Sequence, residues 1–152
     1  MLHPQPGPAK GGSEFLQAPV SGDMDTSFAA ERPEHQIRGG LADWQLRKVI
    51  RHVDEHLGTS LACEDLAALV RLSTGHFCRA FKSSVGEPPH TYLIRQRIRR
   101  AQRLMVETRD SLSQIACACG LTDQAHLTRL FRKSVGTTPR VWRVRRLAAA
   151  AA

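Results

Sequence analysis

The sequence predicts an all-α fold of seven helices, arranged as two helix-turn-helix subdomains joined by a long linker helix. Three observations lead there. Apolar residues from position 41 onward recur at helical spacing, with no convincing two-residue alternation in any segment. Proline and glycine punctuate the same region where helices should start and stop. And "FCRAFKSSVGEPPHTY" (77–92) returns fifty residues later as "LTRLFRKSVGTTPRVW" (127–142). Phe81, Val85, Gly86, Pro89 and Tyr92 are answered by Phe131, Val135, Gly136, Pro139 and Trp142.

The chain divides near residue 40. Residues 1–40 contain "PQPGPAKGG", "SGDMDTS" and "IRGG", rich in Pro, Gly and Ser, and read as a disordered tail or linker. That segment is net acidic, so the net charge of +8 and the pI of about 10.2 arise from the remainder. Such a balance points to a polyanionic partner, either nucleic acid or an acidic membrane surface. No apolar run approaches the ~18 residues of a membrane span; of the two polyanions nucleic acid is the expected partner, and no membrane. The N-terminus lacks the apolar core of a signal peptide, and the reading is a cytoplasmic protein. Cys63, Cys78, Cys117 and Cys119 show no framework spacing and, in a reducing compartment, read as buried thiols rather than disulfides.

From residue 41 the elements follow in order. "ADWQLRKVIRHVDEHL" (42–57) sets Leu46, Val49, Ile50, Val53 and Leu57 along one helical stripe. "CEDLAALV" (63–70) is a short second helix. "TGHFCRAFKSSV" (74–85) is a third, with Phe77, Ala80, Phe81 and Ser84 on its buried side. Pro88 and Pro89 break the chain and open the long helix "HTYLIRQRIRRAQRLMVET" (90–108). Ser111 and Gln114 form a capping box, each side chain satisfying the other's free backbone donor. It opens "LSQIACAC" (112–119), which Gly120 closes as a C-cap. "QAHLTRLFRKSV" (124–135) is the sixth helix, and Thr138 with Pro139 caps and opens the seventh. The domain boundaries expected are a tail at 1–40, a folded domain at 41–146 and a second tail at 147–152. Within the domain the first helix-turn-helix spans about 63–84, the linker helix about 89–108 and the second helix-turn-helix about 112–134.

The repeat is a helix-turn-helix written twice. Leu66, Ala67 and Leu72 pair with Ile115, Ala116 and Leu121 at an offset of 49, which becomes 50 after the turn. The second copy therefore has one extra turn residue. The alanine early in each first helix lets the second helix cross it closely. Such a pair is a standard device for holding a helix in the DNA major groove. An ordinary helical repeat would instead pack protein on protein, and the charge placement decides between them. At about 100° per residue, Arg79 falls ~200° from Phe77, Gly75 ~160° and Lys82 ~140°. In the second copy Leu127, Leu130 and Phe131 define the buried side, and Ala125, Arg129 and Arg132 take the same three outward positions. Arg79 and Arg129 suit the two acceptors of a guanine edge, whereas Lys82 and Arg132 are better placed for phosphate. Thr74, His76 and Cys78 beside the first triplet, and Gln124, His126, Thr128 and Lys133 beside the second, complete the candidate DNA-binding set. Cys78 is expected on an exposed flank. A linker helix of 20 residues measures ~30 Å, close to the ~34 Å between successive major grooves. Its basic run "RQRIRRAQR" is open to three readings: solvated, paired with acids, or beside phosphates.

Rival chemistries find little support. Cys117 and Cys119 lie ~200° apart on their helix, which argues against a shared zinc ion. No nucleophilic constellation and no Gly-rich phosphate loop is present. No enzyme activity and no cofactor is therefore expected.

Residues 46–146 resemble the DNA-binding domain of AraC/XylS-type transcription regulators. The resemblance rests on "IACACGLTDQAHLTRLFRKSVGTTPRVWR" (115–143) and "RIRRAQRLM" (97–105). Three positions depart from the family pattern. Leu121 replaces the usual aromatic after Gly120, Trp142 replaces the usual tyrosine, and His126 with Leu127 stands where an aromatic pair is common. The resemblance implies two helix-turn-helix subdomains, sequence-specific binding to promoter DNA and usually transcriptional activation, in a bacterial, nucleoid-associated protein. RNA polymerase is a second partner to consider. With both reading helices on one chain, a monomer is expected to suffice. Such regulators commonly carry an effector-binding or dimerisation domain, and forty tail residues cannot supply a β-barrel. The chain is thus expected to be either a stand-alone regulator or a fragment. A nonspecific architectural DNA binder and a protein-interaction adaptor are the alternative functions.

Overall fold

Helical stripes alone do not say how seven short segments pack; their caps and buried residues do. The structure, a computed structural model, describes residues 38–152, and the expected tail lies outside them up to residue 37. Seven helices follow in order: α1 (Asp43–His56), α2 (Cys63–Leu69), α3 (Thr74–Val85), α4 (Pro89–Glu107), α5 (Leu112–Ala118), α6 (Gln124–Val135) and α7 (Pro139–Ala150). The described residues contain no strand.

Apolar burial is divided between two cores. The first gathers Val49 and Val53 of α1, Leu57 just beyond its end, Leu66 and Ala67 of α2, Phe77, Ala80 and Phe81 of α3, and Tyr92 and Leu93 of α4. The second gathers Ile98, Ala101 and Met105 of α4 with Ile115, Ala116, Cys119, Leu121, Leu127 and Phe131. The linker helix thus belongs to both. Leu93 and Ile98 lie ~140° apart around its axis, so the two subdomains hang from different sides of one rod.

The repeated sequence makes repeated geometry. α2 and α5 each have 7 residues, and α3 and α6 each have 12. Ser73 and Asp123 cap α3 and α6, accepting from the backbone N–H of His76 (3.3 Å) and His126 (2.7 Å). Gly86 and Gly136 end the two helices in the left-handed region, at φ 90° and 84°. Each donates its N–H to the carbonyl four residues back, on Lys82 and Arg132. Pro89 and Pro139 then open the following helices, where a missing N–H costs nothing. Tyr92 and Trp142 meet Phe81 and Phe131 edge-on, with ring centroids 5.4 and 5.8 Å apart. The sentence is written twice because each copy builds its own core with the same parts.

The capping box holds: Ser111 Oγ accepts from Gln114 N–H at 3.2 Å, and Gln114 Oε1 accepts from Ser111 N–H at 2.8 Å. Three details differ from expectation. The linker helix ends at Glu107, because Thr108 turns extended and its hydroxyl donates to the Leu104 carbonyl. α5 ends at Ala118, with Cys119 as its cap and Gly120 beyond it. The last helix runs to Ala150, through four of the residues assigned to a tail; alanine has the highest helix propensity and lets α7 continue.

Candidate nucleic-acid interface

The candidate residues lie on α3 and α6, the second helix of each pair. Ala67 and Ala116 are buried where α2 and α5 meet those helices, as a close crossing requires. The two turns are nearly superposable in hydrogen bonding. Leu72 N–H reaches the Ala67 carbonyl (3.0 Å), and Leu121 N–H reaches the Ala116 carbonyl (2.9 Å). This is the six-to-one bond of a Schellman motif, which needs a left-handed residue. Gly120 supplies it in the second copy at φ 72°, whereas the first copy uses Arg71 at φ 57°. Thr122 is the extra residue of the second turn, and its N–H donates to His126 Nδ1 at 3.4 Å.

Gly75, His76, Arg79 and Lys82 are exposed on α3, and Gln124, Ala125, Arg129, Arg132 and Lys133 are exposed on α6. Thr74, His126 and Thr128 are half-buried. Gln124, Ala125, Thr128, Arg129 and Arg132 line one continuous patch of α6. The Thr128 hydroxyl donates to the Gln124 carbonyl (2.9 Å). A Cβ on Gly75 would sit 3.5 Å from Arg79 Nη1, so that guanidinium rests over the glycine. Cys78 departs from the expected exposed flank. It is half-buried and packs on the first core. Burial, followed by Cys78 itself, pushes the neighbouring Cys63 thiol up.

Charge on the linker helix is largely uncompensated. Among the described residues the one ion pair is Arg95 with Glu87, whose Oε1 also accepts from Arg95 Nε at 2.7 Å. Arg99 and Arg103 are exposed. Cys117 is exposed and Cys119 fully buried, so those two thiols face opposite ways and cannot share an ion. A concavity of about 1100 Å³ lies among α1, α4 and α7 and contains none of the candidate residues.

Two arginines that the sequence did not single out hold the frame around these helices. Arg143 of α7 donates to the carbonyls of Asp110 (2.6 Å) and Thr108 (2.7 Å), clamping the α4–α5 connection. Arg97 of α4 donates to the Thr59 carbonyl (2.9 Å) in the α1–α2 loop. Their partners are backbone carbonyls distant in sequence, which leave no pattern of residue types to read.

Residues 66–145 match the family described as "Helix-turn-helix domain". Among curated relatives, the probable transcriptional regulator LumQ of Photobacterium leiognathi is 32% identical over 88 residues, which is 58% of this chain and 36% of that protein. The HTH-type transcriptional activator RhaS of Escherichia fergusonii is 33% identical over 98 residues, 64% of this chain and 35% of that one. The chain therefore matches about a third of the length of these relatives. Among solved structures, the DNA-binding domain of AdpA, a global transcriptional factor in complex with a target DNA, superposes with a TM-score of 0.67 at 33% identity. The match covers 69% of this chain and 95% of that domain. An AraC-type regulator from Chromobacterium violaceum superposes at 0.63 with 29% identity, over 67% of this chain and 91% of that one. The paired cores, the duplicated turns and these likenesses together establish that the chain belongs to the AraC-type family of helix-turn-helix DNA-binding domains.

Proposed function

We propose that this chain is a sequence-specific DNA-binding transcription regulator, and that α3 and α6 read two successive major grooves. One observation carries the assignment of the reading face. The same outward triplet, small residue then arginine then basic residue, is exposed at matching positions of two equivalently capped helices. A solvated charged face has no reason to repeat its register. In this reading Arg79 and Arg129 fork onto base edges across the gaps that Gly75 and Ala125 leave open. Lys82 and Arg132 neutralise phosphate. Thr74, His76, Gln124, His126, Thr128 and Lys133 flank the two contacts. Cys78 serves by packing its helix on the core. The folded domain is 41–150, the direction of regulation is activation, as in the name of the RhaS relatives, and RNA polymerase is the second partner. The place of action is the bacterial nucleoid.

Selection of duplexes from a random pool tests the assignment. Truncating a bidentate contact removes about 1–3 kcal/mol of discrimination. Arg79→Ala is expected to relax preference at one position of the selected site, and Arg129→Ala at another about one turn away. If both variants lose affinity yet select the wild-type sequence unchanged, the arginines hold phosphate and the groove assignment is wrong.

A further inference from the structure

The two cores share the linker helix and also meet elsewhere. There the α1–α2 loop touches the turn between α5 and α6. A Cβ on Gly58 would lie 2.9 Å from the Ala118 carbonyl oxygen. A Cβ on Gly120 would lie 2.7 Å from the Leu57 carbonyl oxygen and 3.2 Å from that of Thr59. Both obstacles are backbone, so neither can swing aside. The seam is backbone against backbone, and it closes because glycine stands on both sides.

Arg97 reaches into this seam from α4, between the last first-core residue of the helix and the first second-core one. Its guanidinium donates to the Thr59 carbonyl, while its Nε is buried without a hydrogen-bond partner. Burial lowers its pKa, which marks the cost of holding a cation there. Burial likewise raises the Cys119 thiol beneath it to about 11, against the pull of Arg100, Arg97 and Arg103. An unsatisfied buried donor is destabilising. A side chain kept in that position for stability alone would do better as an apolar one of similar length.

From this geometry we infer that the seam of Gly58, Gly120 and Arg97 fixes the angle between the two helix-turn-helix units, and so sets which spacing between half-sites the protein accepts. The inference rests on the reading that α3 and α6 enter two grooves. Arg97 is a positioning residue, acting on DNA through the orientation of α3 relative to α6. A single flexing helix would tolerate more than one spacing. A helix braced at its middle would not.

Two variants test it in the full chain. Arg97→Met keeps the stem and removes both the cation and the donor. Gly58→Ala wedges the seam at the Ala118 carbonyl. The first measurement needs no DNA. Residual dipolar couplings from the two subdomains should fit one alignment tensor in the wild type and two different tensors in each variant. Thermal unfolding of Arg97→Met should stay at or above that of the wild type. The second measurement uses the duplex that the wild type selects from a random pool, with one base pair inserted between its half-sites. The insertion turns one half-site by about 34° around the duplex axis. It should weaken wild-type binding about tenfold or more, and weaken binding of either variant at most about half as much as that on the logarithmic scale. If Arg97→Met keeps one tensor and the full spacing penalty, the linker helix alone sets the angle and the inference falls. If the tensors separate but the penalty is unchanged, the seam orients the subdomains without selecting DNA, and the specificity role falls. If the wild type selects no sequence at all, the DNA reading fails, while the dipolar couplings still decide whether the seam is a brace.

Discussion

Arg71 and Gly120 stand at equivalent places in the two turns, and both adopt the left-handed conformation that a Schellman ending requires. The same backbone demand is met by different residues because the surroundings differ. Arg71 is exposed, so its side chain has room and the strain is tolerated. Gly120 faces the carbonyls of Leu57 and Thr59, where no Cβ fits. This difference predicts opposite outcomes at one structural position. Gly120→Ala adds the left-handed cost of about 1–2 kcal/mol to a collision with backbone. Its total loss should exceed that of Gly136→Ala, where nothing lies within 4 Å and strain of about 1–2 kcal/mol acts alone. Arg71→Gly relieves strain at an exposed site and should raise stability by up to about 1 kcal/mol, less the added freedom of the unfolded chain. Urea unfolding of the three variants measures this directly. Equal losses for Gly120→Ala and Gly136→Ala would mean that the seam yields easily.

At the scale of elements, what was legible in the sequence was what is local. The helices, the Ser111–Gln114 box and the proline starts follow from local spacing, and the one-residue difference between the turns follows from comparing the two copies. The equivalence of α3 and α6 was readable because duplication makes each copy a control for the other. What was not readable depends on contacts across the fold. Cys78 looked like a flank residue on a helical wheel, yet α2 covers it with Cys63 nearby. The glycine at position 58 gave no signal, because the chain that crowds it lies sixty residues away. Arg143 was not singled out either, because its work lies in its reach to the Thr108 and Asp110 carbonyls. That clamp ties the start of α7 to the end of α4 and the start of α5. Arg143→Ala should cost about 1.5–3 kcal/mol, since hydrogen bonds from a charged donor are among the stronger ones. Arg143→Lys should recover little of it, because an ammonium cannot fork onto two carbonyls as a guanidinium does. Chemical denaturation of the two variants checks the pair. Full recovery by lysine would show that charge near the helix ends matters and the fork does not.

For the whole molecule, the decisive property is that the two helices proposed to read DNA are carried by one linker helix. The 19 residues of α4 span about 28 Å at 1.5 Å per residue, a little under the ~34 Å between successive major grooves on one face of B-DNA. The rod is also basic, with Arg99 and Arg103 exposed and without acidic partners among the described residues. Two consequences follow for binding in solution. First, if α3 and α6 are the two half-site readers, one chain supplies both, so a duplex of about two turns should bind one protein molecule, and the selected sequence should not be a palindrome. Sedimentation of the complex gives the stoichiometry; two chains on a palindromic site would refute the single-rod picture. Second, binding should release counterions from each phosphate that a basic side chain neutralises, with a slope of about −0.9 per phosphate in log K against log salt. If Lys82 and Arg132 each hold one phosphate, Lys82→Ala and Arg132→Ala should each make the slope shallower by about one and weaken all sequences alike. The double variant should be shallower by about two, since the two side chains sit on separate subdomains and touch different turns of the duplex. An unchanged slope in both single variants would move the phosphate contacts from the ends of α3 and α6 to the arginines of the linker helix, and Arg99→Ala and Arg103→Ala would then carry the loss instead.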